Sequence, residues 1–176
     1  MASPAGSRCT SASLLFVILA AGASAAPLTI TNRCHFTMWP VVALVLHQGG
    51  GGTELHPGAS WTLDTPVIGS QYIWGRTGCS FDGAGRGRCQ TGDCGGSSLT
   101  CGGNPAAPVT MAEVSVLEGN YTYGVTSTLK GFNLPMDVTC SSGEALWCRK
   151  AGCDVVHPYA THCSAAGSRL QVVFCP

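Results

Sequence analysis

Short runs of β-branched and aromatic residues recur along the chain between turn-forming residues, and several alternate apolar with polar positions. They are LTITN from Leu28, FTMWPVVALVL from Phe36, SWTL from Ser60, QYIW from Gln71, VTMAEVSVL from Val109, YTYGVTSTL from Tyr121 and LQVVF from Leu170. A period of two sends successive side chains to opposite faces, so each run predicts a strand that buries one side. Long amphipathic helical patterns are absent. Between the runs, residues 81–108 and 140–163 read as loops and hold most of the cysteines. The pattern predicts an all-β sandwich or flattened barrel whose long loops are stapled by disulfides, having little core of their own.

One stretch breaks the rhythm. In VVALVLHQGGGGTELH, residues 41–56, six apolar residues run into His47, Gln48 and the glycines Gly49, Gly50, Gly51 and Gly52. A glycine loses more backbone freedom on folding than any other residue and adds no side chain to a core, so the four predict an exposed turn. His47 then stands at the tip of a strand.

Residues 1–25 read as an address rather than as structure. Arg8 precedes the apolar run LLFVILAAG from Leu14, and Ala23, Ser24 and Ala25 close it as an A-x-A cleavage site. The expectation is a signal peptide over 1–25 and one domain over 26–176, secreted to the apoplast, with no further run long enough to cross a membrane. Cysteine number agrees with that cut. Of 11 cysteines, Cys9 falls in the leader and ten remain, an even number that suits five disulfides whose pairing spacing alone leaves open.

Charge is sparse. Without Arg8, eight Lys and Arg face nine Asp and Glu, a formal net of −1, so no basic field exists to hold nucleic acid or anionic lipid. With 24 glycines, 10 prolines and only two lysines, Lys130 and Lys150, the composition disfavours surface helices.

Candidate chemistry is thin. Cys148-x4-Cys153-x3-His157-x4-His162 offers zinc-type ligands, but three residues between the pairs is far shorter than a zinc finger needs, and secretion favours oxidised cysteines. His47 and His56, with Glu54, make a poor metal set. Neither GGGGTE nor GAGRGR fits a phosphate-binding loop, and no G-x-S-x-G elbow or evident carboxylate pair occurs. No metal or cofactor is expected. Asn120-Tyr121-Thr122 is an N-glycosylation sequon. Trp39, Trp61, Tyr72 and Tyr121 are aromatic candidates for stacking on sugar rings, although core packing is the commoner role of each.

Gly85-Arg-Gly-Arg-Cys-Gln-Thr-Gly-Asp-Cys94 resembles the signature of thaumatin-like, pathogenesis-related-5-type plant proteins. ITNRC at Ile30, the WGRTGC segment at Trp74, MAE at Met111, GFNLPMD at Gly131 and the terminal VVFCP extend the resemblance along the chain. Ten cysteines resemble the short cereal subgroup, which lacks the family's second, disulfide-rich domain. The resemblance implies a thaumatin-like β-sandwich and the pairs Cys34–Cys175, Cys79–Cys89, Cys94–Cys101, Cys140–Cys163 and Cys148–Cys153.

Long relatives carry an acidic cleft, associated with β-glucan, that is built from one arginine, one glutamate and three aspartates. Arg76 and Glu113 match the first two. Two aspartate positions fall on the Gly124/Val125 region and on Lys130, and the third belongs to the missing domain. A cleft so depleted cannot supply a general acid with a partner base, so no hydrolase activity is expected.

The APLTITNRCHFT and GGGGTELHPGASW stretches resemble short cereal members that inhibit microbial endo-β-1,4-xylanases of glycoside hydrolase family 11. This implies a monomeric defence protein whose exposed loop, with His47, Gln48, Gly49 and Gly50, enters the xylanase cleft. The alternative is an antifungal β-glucan-binding protein with no enzyme target.

Overall fold

The computed structural model describes residues 27–44, 50–64, 69–95, 98–101, 103–117, 120–155, 161–164 and 167–176. They contain no helix. The first seven strands are β1 (Pro27–Asn32), β2 (Trp39–Leu44), β3 (Gly50–Gly52), β4 (Ser60–Asp64), β5 (Gly69–Arg76), β6 (Ser80–Phe81) and β7 (Gly87–Arg88). The remaining seven are β8 (Met111–Leu117), β9 (Asn120–Thr126), β10 (Met136–Cys140), β11 (Ala145–Cys148), β12 (Asp154–Val155), β13 (Thr161–Ser164) and β14 (Leu170–Phe174).

Two sheets form the sandwich. A five-stranded sheet runs in the order β11-β10-β14-β1-β4, and a seven-stranded one runs β12-β9-β8-β5-β2-β3, with β13 also on β9; β6 and β7 form a separate ribbon. β1 pairs with β14 in parallel, whereas the other ladders are antiparallel.

The period-two runs produce this layering. Leu28 and Ile30 of β1, Met136 and Val138 of β10, and Leu170, Val172 and Phe174 of β14 face inward from one sheet. Val42, Ile73, Ala112, Val114, Tyr123 and Val125 meet them from the other. A smaller cluster of Val41, Trp74 and Met111 lies on the opposite face of the seven-stranded sheet, covered by Cys94, Cys101 and Val109. The Trp74 indole donates to the Gly92 carbonyl at 2.9 Å, fixing that loop to the sheet.

The glycine tract differs from the expected exposed turn. Gly50, Gly51 and Gly52 form β3, paired with Ala43, Val42 and Val41 at the sheet edge. Close approach explains the residue type. A Cβ at Gly51 would come within 3.1 Å of the Trp61 ring, and one at Gly52 would strike the Leu99 carbonyl and lie 2.7 Å from the Arg76 guanidinium. Residues 140–163, expected as loop, also carry β11, β12 and β13, which are too short to raise a periodic signal.

Five disulfides join Cys34 to Cys175, Cys79 to Cys89, Cys94 to Cys101, Cys140 to Cys163 and Cys148 to Cys153, the pairs that the family resemblance implies. The first closes a separation of 141 residues, for which loop entropy gives about 5 kcal/mol.

Candidate functional site

β2 and β3 are antiparallel neighbours that close at the Ala43–Gly50 pair, so residues 45–49 connect two strands held in register at the edge of the larger sheet. His47, Gln48 and Gly49 lie outside the described residues. Gly50 belongs to β3 rather than to a loop.

The outer face of the same sheet carries Arg76 and Glu113. Arg76 ends β5 and is fully buried rather than open to a cleft. Its guanidinium donates to the carbonyls of Trp39 at 3.2 Å, Ser98 at 3.2 Å and Leu99 at 2.7 Å, and lies 5.3 Å from the Phe81 ring centroid. Burial pushes its pKa down to about 10, with Asp93 opposing, so it stays charged at neutral pH. The group is a clamp on the 98–99 loop backbone.

Glu113 is half-buried on β8, opposite Tyr72 on one side and Gly124 on the other. The Ser115 hydroxyl approaches its Oε1 at 3.5 Å and shares a 2.7 Å hydrogen bond with Ser70. Burial first, and then the Glu113 charge, raises the Tyr72 pKa. Tyr72 and Arg76 are four residues apart on β5, so about 13 Å of strand separates the Glu113 level from the guanidinium. The register also sets Asp154 of β12 on this face, opposite Thr126, with about 10 Å of sheet between it and β8. Asp154 is exposed, whereas Glu113 is half-buried.

The remaining candidates are dispersed. His56 Nδ1 hydrogen-bonds the Thr37 hydroxyl at 3.1 Å and lies 3.9 Å from Glu54, before the start of β2 and therefore at the opposite end from residues 45–49. Among the described residues no group of three or more His, Cys, Asp or Glu side chains is placed to hold a metal. Cys148 and Cys153 are bonded to each other and are not thiolates, and His157 lies outside the described residues. Asn120 is exposed at the first position of β9, while Tyr121 is 1% exposed and packs in the core, which removes it from the sugar-stacking candidates. Trp39, Trp61 and Tyr72 are partly buried. Sequence reasoning missed Trp147, an aromatic residue 59% exposed on β11; its only signal was the two-residue alternation inside ALWC.

Residues 32–176 match the Thaumatin family. The chain belongs to that family. A thaumatin-like protein of Oryza sativa subsp. japonica is 44% identical over the full length of both chains, and a thaumatin-like pathogenesis-related protein of Avena sativa is 47% identical over 95% of this chain and 99% of its own. The solved structure of a thaumatin-like xylanase inhibitor is 87% identical, with a TM-score of 0.79, and its whole length covers 86% of this thaumatin-family chain.

Proposed function

We propose that this thaumatin-family protein is a secreted plant defence protein that inhibits microbial endo-β-1,4-xylanases of glycoside hydrolase family 11. Residues 1–25 serve as the signal peptide and 26–176 as the working domain. The observation that carries the reading is the 87% identity to a solved thaumatin-like xylanase inhibitor. The protein acts by occupying the enzyme's cleft and performs no reaction itself.

Retaining glycosidases hold two carboxyl groups about 5 to 5.5 Å apart in a cleft, one of them ionised. An imidazole at position 47, delivered from the β2–β3 edge with Gln48 and Gly49, meets that carboxylate, and the acid stabilises its protonated form. The β2–β3 pairing supports the reading, since it fixes to the sheet edge the two strands that flank residues 45–49.

Titrating the mature protein into a family 11 xylanase tests it. Activity falls toward zero near one-to-one stoichiometry if the reading is right, and an unaffected xylanase overturns it. Glucan hydrolysis by the wild type that disappears in Glu113→Gln contradicts the non-catalytic role.

A further inference from the structure

The outer face of the five-stranded sheet lies on the side away from the seven-stranded sheet, to which β2 and β3 belong. The ladders align two rows of side chains across it. Trp147, Asp137, Val173, Thr31 and Ser60 make one row, and Ala145, Thr139, Gln171, Thr29 and Thr62 make the other. With strands about 4.8 Å apart, each row forms a track about 19 Å long across the sheet.

Three features on this track belong together. Trp147, 59% exposed, is held on a strand rather than a loop, and Ala145 two residues away leaves the approach to its ring open. Beside it, Arg149 Nε donates to Asp137 Oδ1 at 3.0 Å and the Arg149 NH2 group to Oδ2, a two-point ion pair that cancels both charges and presents a flat polar edge. Next along the sheet, a groove of about 300 Å³ is lined by Thr29, Thr139, Ser141, Gln171 and Arg169.

Among the described residues, Arg169 is the only charged one lining that groove. Its backbone is fixed on both sides, Ser141 N donating to its carbonyl and its own N donating to the Ser141 hydroxyl, each at 3.0 Å. The guanidinium is left exposed, and among the described residues it enters no ion pair. Of the acids on this face, Asp137 is paired with Arg149, and Asp64 stands on β4, opposite Pro27.

We propose that this face binds a pyranose polymer bearing carboxylate groups, a sugar ring stacking on Trp147 while a uronate reaches Arg169 and sugar hydroxyls meet Thr139, Gln171 and Thr29. An exposed indole fits the apolar C–H face of a pyranose, and hydroxyl and amide groups suit its equatorial oxygens. A guanidinium fork that enters no ion pair among the described residues is complementary to a carboxylate. A second protein seated here would have to cover a row of hydroxyl groups with only Trp147 and Val173 as apolar anchors. The formal net charge of the mature chain is −1, so general attraction to a polyanion cannot imitate the site.

The test is affinity electrophoresis of the mature protein in gels containing polygalacturonate, unsubstituted xylan or no polymer. Wild type is retarded severalfold more by polygalacturonate than by the neutral polymer. Trp147→Ala loses retardation in both, and Arg169→Gln keeps the neutral component but loses the preference for the acidic polymer. Both side chains are exposed, so the denaturant unfolding midpoint and xylanase inhibition stay at wild-type values, which separates this site from the inhibitory one. The proposal is overturned by wild type running unretarded in both polymers, by equal retardation in both, by Trp147→Ala behaving as wild type, or by a Trp147-dependent dimer in sedimentation.

Discussion

The position of Arg76 shows what a family match conveys about one residue and what it omits. Resemblance places it among the charged residues of a cleft, yet the side chain is sealed beneath the 98–101 loop with three carbonyls as acceptors. Arg76→Met leaves those buried acceptors unpaired, at about 1–3 kcal/mol each where water cannot replace the donor. The expected outcome is a loss of about 3 kcal/mol in guanidinium chloride unfolding, and a loss under 1 kcal/mol would mean the clamp is idle.

Tyr123 makes a second statement at this scale. Its hydroxyl donates to the Glu144 carbonyl, and burial, followed by the Glu144 charge, raises its pKa above that of an unfolded tyrosine. Above about pH 10 the unfolded chain ionises this group first, so its contribution is complete below that pH and is lost as pH rises through the folded value. Tyr123→Phe should flatten the alkaline fall of stability, measured by unfolding between pH 8 and 11, and an unchanged slope would assign the fall to other groups.

At the scale of elements, strands with a clean alternation were legible from sequence alone. LQVVF is β14 to the residue, and LTITN lies within β1. Those that escaped had no alternation to read. β3 is all glycine, chosen by the proximity of Trp61 and the Leu99 carbonyl, which are distant in sequence. β12 is two residues long and is defined by its pairing with β9. β11 does alternate, but over four residues only, so the exposure of Trp147 became legible through the register of β10 with β11.

The glycine packing carries its own prediction. Gly52→Ala, forced against the Leu99 backbone, should cost about 1–3 kcal/mol and weaken xylanase inhibition by disturbing the β2–β3 edge; unaltered stability would show that the edge tolerates a side chain. At the start of β9, Asn120 is exposed and the sequon is intact, so protein from a eukaryotic secretory host should lose one glycan's mass on treatment with an N-glycosidase. An unshifted mass would leave the sequon unused.

The whole molecule is a sandwich whose middle is tied by its longest bridge. β1 and β14 lie side by side in the five-stranded sheet, and Cys34–Cys175 joins the residues that follow them. Replacing both cysteines with alanine should lower stability by about 2–5 kcal/mol, read from denaturant midpoints. The near-balanced charge leaves little electrostatic steering, so association with a xylanase should change little in rate with added salt.

In the proposed mode of inhibition, a disulfide-bridged domain offers one imidazole to the acidic groove of a xylanase. The most direct test is calorimetric titration of a family 11 xylanase with wild type and His47→Ala side by side. A residue that anchors an interface is worth about 2 kcal/mol or more, so the account predicts an affinity at least about 30-fold weaker for the variant with the same unfolding midpoint. Equal affinities for the two proteins would contradict it.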